Sequence, residues 1–149
     1  MQALIDLYLK PLRDMVKNDP KTAILTENEV KTVFPYLEPI YGCNSILLQK
    51  LTVETKEYDY FKTKLGPVFS ELAVFLKTYT LFVNGYPNAN TTLNQAMINK
   101  PNFVKFIEEA RKDTRCKGLP LKDLLIMPVQ RVNNFFFFFF LIFCFYFDF

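Results

Sequence analysis

Apolar positions recur at helical spacing through most of the chain, and short polar runs divide them into segments. In the first segment Leu4, Leu7, Tyr8 and Leu12 share a face, bordered by Leu9 and Val16. This predicts a helix over Ala3 to Val16, bent or restarted at Pro11. Asn18, Asp19 and Pro20 form a turn signal. Thr26 and Glu29 then stand at the Thr-x-x-Glu spacing of a capping box, in which each side chain satisfies the other's backbone N–H. Val30, Val33, Phe34, Leu37, Ile40, Tyr41, Leu47, Leu48 and Leu51 continue the helical period. Pro35 and Pro39 would each cost about 3 kcal/mol inside a straight helix. The second helix is therefore expected to kink or break, with one of the two prolines opening a fresh turn. Gly42 and Asn44 are further expected weak points.

Thr52 to Lys64 is polar and predicts a connector, with Tyr58, Tyr60 and Phe61 as partial anchors. A third helix is expected from about Leu65 to Val83. Its stripe Val68, Leu72, Phe75, Tyr79 and Phe82 alternates steps of four and three, which suits a helix packed in a bundle. Gly85, Pro87 and Asn88 predict its end. Asn90, Thr91 and Thr92, formally a glycosylation sequon, predict an N-cap region for a short helix carrying Leu93, Ala96 and Met97. Pro101 suits the first turn of the next helix, whose apolar face is Phe103, Phe106, Ile107 and Ala110. Glu108 and Lys112 are spaced to pair across one turn. Arg111, Lys112, Arg115 and Lys117 crowd the helix's C-terminal end, where cations suit the helix dipole. A phosphate site is the alternative use of that cluster.

Gly118 then stops the helical pattern, and Leu119 to Val132 reads LPLKDLLIMPVQRV. Pro120 can open a helical turn, and Leu121, Leu124 and Leu125 form a ridge expected to pack along the third helix. Pro128 would break this helix, or open another whose first turn carries Val129, Gln130 and Arg131. After Val132 the period stops. Asn133 and Asn134 are followed by six phenylalanines and LIFCFYFDF. That run is short for a membrane span of about 20 residues and has no basic flank. It is a β-prone, almost uncharged segment of the kind that aggregates. Poly-Phe is also what a thymine-rich tract yields on translation, so residues 135–149 are expected to be read-through of non-coding sequence.

The 149 residues make one domain or part of one. The net charge of +3 is spread along the chain, without the concentrated basic face that nucleic acid requires. The three cysteines, Cys43, Cys116 and Cys144, lack metal-ligand or disulfide-framework spacing, and histidine is absent. No phosphate loop or hydrolytic constellation is present, so neither a cofactor nor a self-contained active site is expected. The N-terminal segment reads as an amphipathic helix, not a secretory signal, which makes a cytoplasmic location the expectation.

The motif L-x-x-L-L-I-x-P-V-Q-R-V, Leu121 to Val132, resembles the third signature region of the Dbl homology domain of Rho-family guanine nucleotide exchange factors. Upstream, DLYLKPLRDM resembles the end of that family's first helix. The segment opened by Thr26 resembles its second helix, and Gly66, Val68, Phe69, Phe75 and Tyr79 match the sense of its third. The resemblance implies an elongated all-α helical bundle, an incomplete Dbl homology domain over residues 1–134. It implies a Rho-family small GTPase as partner, bound best in its nucleotide-free form, since exchange works through a difference in affinity. Binding residues carried over are Met127, Gln130, Arg131 and Asn134. The family places a Lys or Arg where Asn134 stands and a Tyr where Phe135 stands. Its first-helix glutamate and the asparagine of its later helix have no counterpart in these residues. The resemblance thus implies a domain fragment that does not catalyse exchange as written, and a membrane link only through other domains. Two alternatives remain: a non-catalytic helical scaffold that binds a partner helix or GTPase surface, and a protein anchored by its Phe-rich end.

Overall fold

The computed structural model describes residues 1–59, 63, 65–73 and 76–146, with side chains described except at 71–73, 76 and 135–146. Every regular element among the described residues is a helix. The chain opens with Gln2–Leu4, Ile5–Leu9 and Lys10–Asn18 head to tail as one helix, α1. Its middle stretch is a π turn in which the Lys10 N–H reaches back to the Ile5 carbonyl. The cause is next in the sequence: Pro11 has no N–H to donate and its ring needs room near the preceding turn. The proline restarts the helix, as its place in the pattern predicts.

Thr26 caps α2, Glu27–Val33, and the capping box forms in both directions. The Glu29 N–H donates to Thr26 Oγ1 at 3.3 Å, and Thr26 N–H donates to Glu29 Oε2 at 2.7 Å. The second helix does break. Pro35 lies in the break, and Tyr36 takes up a left-handed conformation at φ 52°. Pro39 falls in the first turn of α3, Leu37–Glu54, where its missing N–H is harmless. Gly42 and Asn44 are not weak points: α3 runs through both. The connector then begins only after Glu54, and its expected anchors Tyr60 and Phe61 lie outside the described residues.

The next helices are α4, Gly66–Ala73, and α5, Leu76–Asn99. The predicted end at Gly85, Pro87 and Asn88 is wrong, because α5 carries Pro87 in its interior. Burial decides this. Tyr79 and Phe82 lie in the core before the proline, and Ala89, Leu93 and Ala96 after it. Burying one large apolar side chain is worth about 1.5–3 kcal/mol, so several together outweigh the roughly 3 kcal/mol penalty of one proline. Consequently Asn90, Thr91 and Thr92 are mid-helix residues instead of an N-cap, and Thr91 Oγ1 donates to the Pro87 carbonyl at 3.0 Å. Leu72 and Phe75 of the predicted stripe lie outside the described side chains; Val68, Tyr79 and Phe82 are buried as expected.

Pro101 opens α6, Pro101–Arg111, which buries Phe103 and Ile107 and rests Phe106 and Ala110 against the core. Glu108 and Lys112 do not pair. Lys112 reaches Glu109 at 2.6 Å, and Glu108 lies 3.7 Å from Arg111, because the three-residue step brings those heads together on this helix. A 3₁₀ turn, Thr114–Cys116, follows. Lys117 at φ 53° and Gly118 at φ 71° then take left-handed conformations that turn the chain. Pro120 sits just ahead of the last helix, its carbonyl accepting from the Asp123 and Leu124 N–H groups. That helix, α7, is Leu121–Tyr146 and runs through Pro128 without a break. Pro128 is buried beside Leu124 and Leu125, so packing again overrides the local penalty.

The layers follow from these faces. Helix α5 packs on α2 along one side and on α7 along another, while α3 lies against α4 and α5. The start of α1 rests on α7, and its π turn rests on α6. One core joins them, with Tyr8, Phe82, Leu93 and Phe103 among its fully buried members. The Leu121, Leu124 and Leu125 ridge shares that core with Tyr79 and Phe82, as the two stripes predict. The fold is an all-α bundle.

Candidate functional site

Burying Leu121, Leu124, Leu125 and Pro128 fixes the rotation of α7. The opposite face must then point away from the core, and it carries Met127, Gln130, Arg131 and Asn134, all exposed. Positions 127, 131 and 134 follow the i, i+4, i+7 steps of one helical face, with 130 beside them. The four residues therefore form one surface, three polar side chains around Met127, which is 41% exposed.

Arg131 is the anchored member. Its Nη1 donates to Asn44 Oδ1 at 2.7 Å, which ties α7 to α3. Asn44 Nδ2 in turn donates to the Ile40 carbonyl at 2.7 Å and to the Tyr79 hydroxyl on α5. Burial pushes the Tyr79 phenol up, and hydrogen bonding from Asn44 and the charge of Arg131 only partly oppose it. Tyr79 is thus a neutral partner at physiological pH. The Met1 amino group is pushed down, first by burial and then by the charge of Arg131, and the start of α1 packs on α7. The surface offers guanidinium and amide groups for recognition. Among the described residues, no group of three or more His, Cys, Asp or Glu side chains gathers as a metal site.

Asn44 and the hydroxyl of Tyr79 belong to this site, and sequence reasoning missed both. Asn44 reads as a helix irregularity, and Tyr79 as one apolar stripe member among five. A tyrosine in a buried stripe does carry a signal, because its hydroxyl must find a partner. The sequence does not say which residue that partner is.

Three cations of the basic cluster at the end of α6, Arg111, Lys112 and Arg115, are already engaged. Arg111 Nε donates to the Gly118 carbonyl at 2.7 Å, closing the turn. Arg115 pairs with Asp113 at 3.0 Å and approaches Asp6 of α1 at 3.6 Å, and Lys112 pairs with Glu109. These contacts favour the structural role over a phosphate site. A groove of about 860 Å³ lies between α1 and the α2–α3 break, lined by Leu9, Val16, Phe34 and Tyr36 among others, and shares no residue with the α7 face.

The RhoGEF domain family model matches residues 1–139, almost the whole chain and all of the α7 surface. The chain belongs to the RhoGEF domain family. Relatives include "Guanine exchange factor for Rac 30" of Dictyostelium discoideum, 34% identical over 116 residues, which are 78% of this chain and 7% of that protein. Human Intersectin-1 is 28% identical over 137 residues, 91% of this chain and 8% of that protein. Human Rho guanine nucleotide exchange factor 10 is 28% identical over 138 residues, 91% of this chain and 10% of that protein. The chain therefore corresponds to a small part of each of these relatives. The RhoGEF match reaches five residues beyond Asn134, into the phenylalanine run.

Proposed function

We propose that the α7 face of this RhoGEF chain binds a Rho-family small GTPase, preferring the nucleotide-free form. The observation that carries this is the exposed row Met127, Gln130, Arg131 and Asn134 on the helix that bears the PVQR motif, with Arg131 held in place by Asn44. A preference for the empty GTPase is what exchange requires, since only a difference in affinity between two states moves an equilibrium. Rac is the first GTPase to test, because the relative with 34% identity is named for it.

The 149 residues by themselves are proposed to bind without accelerating exchange. Asn134 stands where the family places a cation, and no residue here matches the first-helix glutamate or the later-helix asparagine. Each missing charge-assisted contact is worth about 1.5–3 kcal/mol, so losing several lowers the rate by orders of magnitude. Residues 1–134 are taken as the domain and 135–149 as lying outside it. In the cell the domain is proposed to act in the cytoplasm and to reach membranes through other parts of its protein. Among the described residues no helix is long and apolar enough to cross a membrane.

Fluorescent GDP release from Rac and a panel of other Rho-type GTPases, with capture of their nucleotide-free forms, tests the proposal. Capture of an empty GTPase without faster GDP release is the expected result. Dose-dependent acceleration would refute the loss of competence. Equal capture of empty and loaded forms would instead favour a scaffold.

A further inference from the structure

We infer that Asn44, backed by Tyr79, is a positioning residue that holds the Arg131 guanidinium fixed and uncompensated, ready for a carboxylate of the bound GTPase. The inference rests on the assignment of the α7 face as the GTPase-binding surface. The chain has four arginines, and three of them are spent on carboxylates within the chain. Arg13 makes a two-pronged pair with Glu38 at 2.9 Å, Arg115 pairs with Asp113 at 3.0 Å, and Arg111 lies 3.7 Å from Glu108. Arg131 differs: its anchor is a neutral amide, and it has no carboxylate partner among the described residues.

The seat is built to present a carbonyl oxygen. Asn44 donates from Nδ2 to the Ile40 carbonyl, an acceptor only, and to the Tyr79 hydroxyl. Flipping the amide would set its oxygen against the Ile40 carbonyl and its NH₂ against the guanidinium. Oδ1 is therefore locked toward Arg131. A guanidinium has five N–H donors in a rigid fork, and Asn44 with the Tyr79 hydroxyl beside it takes only part of them, which leaves donors free for a carboxylate. Fixing the fork before binding removes an ordering cost that a free arginine would bear on association. Because the seat is uncharged, it achieves this without cancelling the charge the partner is to meet.

The test compares the full chain with Asn44→Ala, Asn44→Asp, Arg131→Ala and the double variant Asn44→Ala/Arg131→Ala. Affinity for nucleotide-free Rac and the order of the Arg131 Nε–H group by nitrogen-15 relaxation are both measured. Asn44→Ala is expected to mobilise the guanidinium and weaken binding about tenfold, while far-ultraviolet circular dichroism stays unchanged. Asn44→Asp gives up the bond to the Ile40 carbonyl but gains a charge pair with Arg131, so it is expected to keep the guanidinium ordered and still weaken binding, because a carboxylate seat neutralises it. A residue with a merely structural role would not separate those two readouts. The double variant should bind no worse than Arg131→Ala alone. If Arg131→Ala weakens binding while both Asn44 variants bind like the parent, this inference fails and the α7 assignment stands. If Arg131→Ala binds like the parent, or the parent itself does not bind nucleotide-free Rac or another Rho-type GTPase of the panel, both fail together.

Discussion

Glu29 holds Lys100 at 2.6 Å across the space between α2 and the junction of α5 with α6. The same carboxylate oxygen accepts from the Thr26 N–H at 2.7 Å and from Thr26 Oγ1 at 2.8 Å. One side chain thus closes the cap of α2 and ties that helix to the residue preceding α6. Burial works to raise the Glu29 pKa, but hydrogen bonds from Lys100 and Thr26 outweigh it and hold the carboxyl below its ordinary 4.5. The stabilisation is therefore fully present above pH 4.5 and is lost as pH falls through the depressed folded value.

Replacing Glu29 by Ala should cost about 1–2 kcal/mol at neutral pH, a lost cap plus a partly buried ion pair. The difference from the parent should shrink on acidification below pH 4.5, as the parent loses the same interaction through the depressed folded value. Urea melts at several pH values check this. A difference that stays constant across the whole acid range in which the parent remains folded would show that the carboxylate charge is not the source.

Glycines 42 and 85 lie inside α3 and α5, where neither is required by its conformation. A Cβ at Gly42 would meet nothing within 4 Å, and one at Gly85 would touch Pro35 Cγ at an ordinary 3.5 Å. Gly42→Ala and Gly85→Ala should each stabilise the fold by about 0.5–1 kcal/mol, through a smaller entropy loss in forming the helix. Denaturant midpoints that fall for Gly85→Ala alone would mean that Pro35 cannot accept even van der Waals contact there.

Pro87 stands in the interior of α5 and is exposed, so its ring adds little to the core. Pro87→Ala restores an N–H toward the preceding turn and should raise stability by about 1–3 kcal/mol. The gain stays at or below the full proline penalty because the helix has already adjusted to the ring. Loss of stability in this variant would show that the proline bend is needed to fit α5 against α2 and α7.

Pro87 also shows what was legible in the chain. Capping at Thr26 and Glu29, the restart at Pro11 and the facing stripes on α5 and α7 are set by residues close in sequence, and each is readable there. The continuity of α5 was readable too, since Tyr79, Phe82, Tyr86, Ala89, Leu93 and Ala96 keep one stripe through the proline. A local stop signal obscured it, because the compensating burial comes from α2 and α7, which lie far off in sequence. The site divides the same way. Met127, Gln130, Arg131 and Asn134 follow from one helical motif, whereas Asn44 meets Arg131 only after three helices have packed.

Residues 135–149 are proposed to lie outside the domain. The helical apolar period ends at Val132, which among the described side chains is the last one packed against the core, and an almost uncharged phenylalanine run begins three residues later. Backbone helix continues through that run to Tyr146, and the RhoGEF match reaches residue 139, so helical form alone does not make it part of the domain. If the domain is complete without it, a chain ending at Asn134 should keep the thermal midpoint of the 149-residue chain within about 1 kcal/mol of stability, as for changes outside the core. It should also aggregate less, because an apolar, β-prone, nearly charge-free segment is gone. Thermal melts and light scattering on the two chains decide between the possibilities. A shortened chain that melts several degrees lower would make the phenylalanine run a structural part of the bundle. Sequencing the messenger across the Asn134 codon gives an independent answer: a spliced product that resumes with a cation and a tyrosine at the positions of Asn134 and Phe135 supports the boundary, and a mature transcript encoding all the phenylalanines refutes it.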